Sequence, residues 1–259
     1  MSLFSQTAGY GPDMVLLHGW GMNSDIWEDV VDGLEDSYRI TVVDLPGHGR
    51  SNGNSVDTAD FTLKNIAKQI SDVLPVECIV VGWSLGGLVA IQVALDYPDR
   101  VKKLVLVAST PQFVKDESWP DATDAEVLDG FAGDLQKDYQ NTMKRFIAIQ
   151  TMGSNNAREE QQIMRDRVFR YGRPQLTALE GGLRILRETN LRPRLSNLKC
   201  PCLLLTGEHD SLFRQSAVNQ TLPLIKDARL AVIKGAGHAP FLSHSKEFIL
   251  ALKNYLENE

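Results

Sequence analysis

The sequence predicts an α/β protein: a mostly parallel central sheet with helices on both faces and a block of helices inserted over one edge. Two observations carry this expectation. Short apolar, β-branched runs recur with helical segments between them, and none alternates cleanly between polar and apolar residues, so each reads as a strand buried on both faces. The polar residues with chemical potential fall just after those runs, at the carboxyl ends of strands, where open parallel sheets gather their ligand sites. At 259 residues, 43% hydrophobic and 23% charged, the chain is long enough for one large domain or a domain with an inserted subdomain.

The first run, "MVLLHG" at 14–19, ends in His18 and opens onto "HGWGMNSDIW". The second, "RITVVDL" at 39–45, is followed by Pro46 and Gly47, a turn that Asp44 is expected to stabilise. The third, "ECIVVGW" at 77–83, leads into an apolar helical pattern from Leu85 to Tyr97, with Gln92 and Asp96 as its main polar positions and "YPDR" as its stop. The fourth is "KLVLVAS" at 103–109; the next are "PCLLLTG" at 201–207 and "ARLAVIKG" at 228–235. A compact domain does not carry a structureless loop as long as the gap between the fourth and fifth runs. That gap instead shows helical periodicity in "AEVLDGFAGDLQKDY", "NTMKRFIAIQTM", "REEQQIMRDRVFRY" and "PQLTALEGGLRILRE". It predicts a helical cap, or lid, at 111–190 over a core made of 1–110 and 191–259.

Within the third unit, Ser84 stands at the change from strand to helix, fenced by Gly82, Gly86 and Gly87. A turn this tight strains the residue at its tip and needs small neighbours two positions away, so that strand and helix can cross. This is the G-x-S-x-G nucleophile elbow in the strand-turn-helix context it requires. A serine N-cap would account for Ser84 but not for the glycines. A phosphate-cradling loop would need a different glycine spacing and a Lys-Ser/Thr pair, both missing from "GWSLGG".

A serine nucleophile needs a base. Among the five histidines, His238 follows the last strand in the glycine-rich "LAVIKGAGHAPF" and can reach the sheet edge. His244 reads as part of a helix start, His48 and His209 sit in turns, and His18 closes the first strand. Asp210, in "GEHD" after the fifth strand, is the carboxylate expected to orient the base, giving the chain order Ser84, Asp210, His238. Glu208 and Asp44 compete for that role; Asp227 and Asp99 read as solvated loop charges. An oxyanion hole would take its backbone donors from Leu85, at the start of the helix, and from Trp20, whose indole would line the pocket.

The formal net charge of −6 argues against nucleic acid, which draws on a basic field. No run reaches membrane-spanning length, and the opening residues lack a basic segment followed by a long apolar one, so the expectation is a soluble, unexported protein with no membrane partner. Cys78, Cys200 and Cys202 have neither C-x-x-C nor metal-ligand spacing and read as core thiols of a reducing cytoplasm, in a protein expected to be a monomer.

The motifs "LLHGWG", "VVDLPGHGRS", "GWSLGG", "GEHD" and "GAGHAPF", in this order and spacing, resemble the α/β-hydrolase superfamily over essentially the whole chain. Serine at the elbow disfavours the branches with an aspartate nucleophile, such as haloalkane dehalogenases and epoxide hydrolases. More narrowly, "HGWGMNSDIW", "GWSLGGLVA", "RFIAIQTMG" and "GHAPFLSHSKEF" resemble the pimeloyl-acyl carrier protein methyl ester carboxylesterases of biotin synthesis. That resemblance implies removal of a methyl ester from a pimeloyl chain carried on acyl carrier protein. Ser84 would be the nucleophile, Asp210 the orienting acid and His238 the general base, with no metal and no organic cofactor. It also implies substrate contacts at Trp20, Leu85 and the run Phe146, Ile147, Ala148, Ile149 and Gln150, with Arg145 beside that run.

Charge distribution agrees with an acidic partner such as acyl carrier protein. Residues 111–140 hold eight acids and two bases, whereas 141–187 hold nine Lys/Arg and four acids. Arg145, Arg158 and Arg165 are the docking candidates. Arg158 and Arg165, seven apart, share a helix face, while Arg167 and Arg170 project elsewhere. A solvated helix face would leave the same pattern, so a general short-chain carboxylesterase and a non-catalytic hydrolase-fold binding protein stand as alternatives.

Overall fold

The computed structural model describes residues 3–53 and 60–257. Among them, seven strands form one sheet: β1 (Ser5–Ala8), β2 (Asp13–Leu17), β3 (Arg39–Val43), β4 (Cys78–Trp83), β5 (Val101–Val107), β6 (Cys202–Gly207) and β7 (Ala228–Ile233). Their spatial order is β1-β3-β2-β4-β5-β6-β7. Every neighbouring pair is parallel except β1 with β3. All of β4 and β6 is buried, which is why those strands read as unbroken apolar runs.

The six apolar runs are all strands. β1 has no counterpart among them, because "SQTA" has no apolar run to betray it and is exposed along most of its length. It is an edge strand that exists by pairing: Ser5 to Ala8 lie opposite Val43 to Ile40, and the hydroxyls of Thr7 and Thr41 meet at 2.9 Å.

The helices are α1 (Glu28–Leu34), α2 (Leu63–Ser71), α3 (Leu85–Asp96), α4 (Ala125–Leu135), α5 (Tyr139–Gln150), α6 (Ala157–Val168), α7 (Leu176–Glu188), α8 (Gln215–Thr221), α9 (Pro240–Ser243) and α10 (Ser245–Glu257). α3 is buried on every face as far as Ala94, between the sheet, α2 and α7, so its apolar residues do not form a single stripe. Four helices, α4 to α7, fill the long gap between β5 and β6. The first of them stops earlier than its periodicity suggests: the Asp138 carboxylate accepts the Asn141 N–H (3.1 Å) and so caps a new helix at Tyr139.

These four helices pack on one another and on the rest of the chain. α7 lies on α3, and α6 lies on α9 and on the 3-10 turn Ser24–Trp27. Trp20, just after β2, inserts among them: its ring lies 4.6 Å from Phe146 and 6.4 Å from Phe131, and Nε1 donates to the Leu179 carbonyl (2.8 Å). α7 admits the indole because Gly182 has no Cβ, which would stand 2.6 Å from Trp20 Cδ1. Through Trp20, these helices meet the loop that follows β2.

At the crossing of β4 and α3 the backbones touch. A Cβ on Gly86 would overlap the carbonyl oxygens of Leu17 and His18, and one on Gly82 would overlap the Gly86 carbonyl. Backbone atoms in a sheet cannot step aside, so Gly86→Ala is expected to destabilise the fold by about 3 kcal/mol. The check is a lower urea midpoint at unchanged m-value.

Candidate active site

β4 ends at Trp83 and α3 begins at Leu85, so Ser84 alone makes the reversal, at φ 53° and ψ −117°. A residue with a Cβ holds such a backbone at a cost of about 1–3 kcal/mol. The restraints are visible. Ser84 N–H donates to the Val107 carbonyl (3.0 Å), and the Ser84 carbonyl accepts the Ser109 hydroxyl (2.8 Å) and the Gly87 N–H (2.9 Å). The serine side chain is thereby held at the tip of the turn, at the carboxyl end of the central strand, with 5% of the residue exposed.

Asp210 and His238 come together. Asp210 Oδ2 lies 2.8 Å from His238 Nδ1, with both side chains buried. Asp210 is aimed by its own loop: Oδ1 accepts the N–H groups of Leu212 (2.9 Å) and Phe213 (2.8 Å), which leaves Oδ2 for the ring. With Nδ1 donating to the carboxylate, Nε2 is the acceptor nitrogen, and it is buried without a hydrogen-bond partner. Trp83, the residue before the serine, donates its Nε1–H to the His238 carbonyl (2.9 Å) and packs its ring 5.9 Å from the imidazole. Sequence reasoning passed over Trp83; its place between Gly82 and Ser84 was the available signal.

The competing carboxylates are engaged elsewhere. Glu208 turns outward, half exposed, and accepts the Gly235 N–H (3.0 Å). Asp99 and Asp227 are exposed. Asp44, fully buried, ties three segments together: Oδ1 accepts Ser24 N–H (2.7 Å), and Oδ2 accepts Arg50 N–H (2.7 Å) and Nε–H (3.0 Å). Burial alone would push its carboxyl up, but the hydrogen bonds from Arg50 and Ser24 hold it below the usual range. Arg50 is clasped in turn between the rings of Phe4 and Tyr171 and pairs with Asp25 (2.8 Å).

His18, just after β2, and His48, in the turn after β3, are both buried and structural. His18 Nε2 accepts the Leu45 N–H (2.9 Å) while Nδ1–H meets the Gly19 carbonyl (2.8 Å). His48 Nε2 accepts the Gly21 N–H (3.3 Å) while Nδ1–H meets the Pro46 carbonyl (2.9 Å). Each ring accepts at one nitrogen and so is neutral. Burial pushes His18 down and pushes His48 down to about 3. Trp20 stands in the chain between Gly19 and Gly21, the residues these rings hold. The Gly19 carbonyl, held by His18, belongs to the same trans peptide as the Trp20 N–H, which therefore points the opposite way. Gly19 also lies against the elbow, where a Cβ would stand 3.3 Å from Ser84 Cβ.

Leu85 is fully buried at the first position of α3, where N–H groups have no intrahelical acceptor. In α5, Phe146, Ile147 and Gln150 face inward, Ile149 is partly buried, and Ala148 is exposed on the outer face, so the helical period separates it from the others. Of the arginines, Arg145 pairs with Asp134 (2.5 Å), Arg158 is exposed, and Arg165 bonds Gln161 (2.9 Å). Arg167 and Arg170 turn back to the N-terminal half, pairing with Asp29 (3.1 Å) and with Asp25 (2.6 Å) and Glu28 (2.5 Å).

A buried serine at a strained strand-to-helix turn, with a histidine-carboxylate pair after later strands of the same sheet, is the layout of a hydrolase. The chain belongs to the α/β hydrolase fold family, whose model matches residues 12–245. It is 40% identical over 256 residues to the pimeloyl-[acyl-carrier protein] methyl ester esterase of Aeromonas hydrophila subsp. hydrophila, covering 99% of this chain and 100% of that one. It is 41% identical to the protein of that name from Pectobacterium carotovorum subsp. carotovorum, over 95% of both chains. These relatives set it among the esterases of the family, and it is a carboxylic ester hydrolase. Among solved structures, the esterase EaEST from Exiguobacterium antarcticum shares the fold with a TM-score of 0.90 at 23% identity, over 99% of this chain and 96% of that one. The bromoperoxidase from Bacillus anthracis does so with a TM-score of 0.89 at 22% identity, over 99% and 95%.

Because the Asp44 carboxyl titrates below its ordinary value, its contribution is present above about pH 4 and is lost as the pH falls through the folded-state value. Asp44→Asn removes the fully buried one of the two carboxylates that Arg50 pairs with and is expected to destabilise by about 3 kcal/mol at pH 7. The difference from wild type should shrink in denaturation curves taken toward pH 3.

Proposed function

We propose that this chain is a serine carboxylesterase that hydrolyses the methyl ester of a pimeloyl group carried on acyl carrier protein, releasing the terminal carboxylate in biotin synthesis. The observation that carries the reading is the buried Asp210–His238 pair, whose free nitrogen is the one a serine proton needs, on a sheet whose central strand ends in Ser84. The names of the relatives supply the substrate.

In this reading His238 Nε2 takes the Ser84 proton as Oγ attacks the ester carbonyl, and the Asp210 carboxylate stabilises the imidazolium. The amides of Trp20 and Leu85 hold the tetrahedral oxyanion; the α3 N-terminus adds its dipole there. The imidazolium returns the proton to the methoxide oxygen, and methanol leaves. Water, deprotonated by the same nitrogen, then attacks the acyl-enzyme and frees the acid and Ser84. Residues 111–190 act as a cap whose inner face, with Phe146, Ile147, Ile149 and Gln150, lines the acyl chain beside Trp20. Three buried, unbridged cysteines suit a reducing cytoplasm.

The outer face of the cap would meet the carrier protein. Arg158 and Arg165 are the better docking candidates, since Arg145 is already paired with Asp134. A general short-chain esterase remains the second reading, because the triad itself does not require a carrier.

Methyl pimeloyl-acyl carrier protein and a free short-chain methyl ester separate the two. Ser84→Ala should lower turnover of both by 10³-fold or more, roughly the loss seen when a nucleophile is removed. Arg158→Glu with Arg165→Glu should raise KM for the carrier-bound ester by about tenfold and leave the free ester unchanged, as expected when two favourable charges are reversed. Equal effects on both esters would discard the carrier assignment.

A further inference from the structure

The turn between α5 and α6 is bonded to both loops that carry the proposed acid and base. On the side of the base, the Gln150 carbonyl accepts the His238 N–H (3.0 Å), the Gly235 carbonyl accepts the Asn155 N–H (3.1 Å), and Asn156 Nδ2 donates to the Ser243 carbonyl on α9 (2.7 Å). On the side of the acid, His209 Nδ1 meets the Gly153 carbonyl (2.9 Å) and the Ser211 hydroxyl donates to the Ile149 carbonyl (3.4 Å). The approach is close enough that a Cβ on Gly237 would stand 3.1 Å from the Gln150 oxygen.

Glu160 closes this turn from within. It lies in the first turn of α6, is fully buried, and accepts the Ser154 hydroxyl through Oε1, while Oε2 has no hydrogen-bond partner. Ser154 Oγ also accepts the Asn156 N–H (3.2 Å), so segment 154–156 hangs on this carboxyl. A carboxylate buried without a cation is strongly disfavoured, whereas a neutral carboxylic acid is not.

We propose that Glu160, as the neutral acid, is a positioning residue for the catalytic base, clamping the α5–α6 turn against the loop that carries His238. The proposal rests on the reading of His238 as the general base. Burial pushes the Glu160 carboxyl up to about 7; the hydroxyls of Ser154 and Ser243 oppose this and the charge of Glu159 adds to it. The other charged groups on elements packed against α6 do not neutralise it. Arg145 pairs with Asp134, Asp25 with Arg50 and Arg170, and Arg167 with Glu28 and Asp29; Lys144 lines the outer groove with Arg165 and Asp166. His244, where α9 meets α10, keeps Nδ1 buried and unbonded. As pH rises through the Glu160 value, an unpaired charge appears inside the joint and draws in water, so the clamp holds below that pH and loosens above it.

The test is the pH profile of kcat/KM for p-nitrophenyl butyrate, a substrate that needs no carrier, with wild type, Glu160→Gln and His238→Ala. Wild type is expected to lose at least about threefold on the alkaline side, whereas Glu160→Gln, equal in shape and never charged, keeps its activity there. The raised carboxyl makes the wild type less stable as pH climbs from about 4.5 toward 7, so the Tm advantage of Glu160→Gln should grow over that window. Hydrogen exchange of the His238 amide in the wild-type protein reads the clamp without any substitution: protection should fall several-fold between pH 6 and pH 8.5 beyond the intrinsic rise. Identical alkaline limbs in wild type and Glu160→Gln, or unchanged protection, would overturn the proposal alone. Activity surviving in His238→Ala would overturn the assignment of the base, and the proposal with it.

Discussion

The reversal of the chain at Ser84 is the constraint on which the rest depends. β4 and α3 cross so closely that Gly82 and Gly86 meet backbone atoms where a side chain would be. That contact goes with the positive φ at Ser84, and the strain is balanced by the bond Ser84 N–H donates to Val107 and by those its carbonyl accepts from Ser109 and Gly87. It also explains the burial of α3 on all sides. A helix pressed this tightly onto the centre of a sheet, with α2 beside it and α7 over it, has no face left for water.

Around the elbow, charge is handled by separation. Close to it lie neutral histidines, His18 and His48, each held in one tautomer by a donor on one side and a carbonyl on the other. Farther out, the paired charges of Asp44, Arg50, Asp25 and Arg170 join the loops after β2 and β3 to the segment after α6. The arrangement keeps the Gly19–Trp20 peptide in one orientation without placing a net charge next to it. After β6 and β7, the Asp210 carboxylate is hydrogen-bonded to His238, both side chains are buried, and the His238 ring packs against Trp83.

The four helices between β5 and β6 are bound to the sheet side by polar contacts as well as by packing. Trp20 reaches up into them through Leu179, Phe146 and Phe131, and the α5–α6 turn reaches down to the loops around Asp210 and His238. A displacement of these helices would therefore be felt at both places where the proposed mechanism needs fixed geometry. Glu160 sits at one of these joints, where its protonation state bears on the packing of the proposed base.

Much of the fold was legible in the chain because its evidence is local. Apolar runs mark strands buried on two faces, glycines mark the crossing, and a 3.6-residue period marks the helices between β5 and β6, with boundaries shifted by a few residues, as at the Asp138 cap. The order Ser84, Asp210, His238 could also be read in advance, since each follows a recognisable strand. β1, the ring roles of His18 and His48, the Trp83 indole bond and the Glu160 carboxyl could not. Each depends on a partner tens of residues or more away, as with β1 on β3, Trp83 on His238 and Glu160 on the packing of α6 against α9. The sequence by itself determined the elements and the chemical types at their ends, because periodicity and turn chemistry act between near neighbours. Only the tertiary structure decided which polar groups are charged, which are neutral and which atom each one faces, because burial and hydrogen-bond geometry arise where distant segments meet.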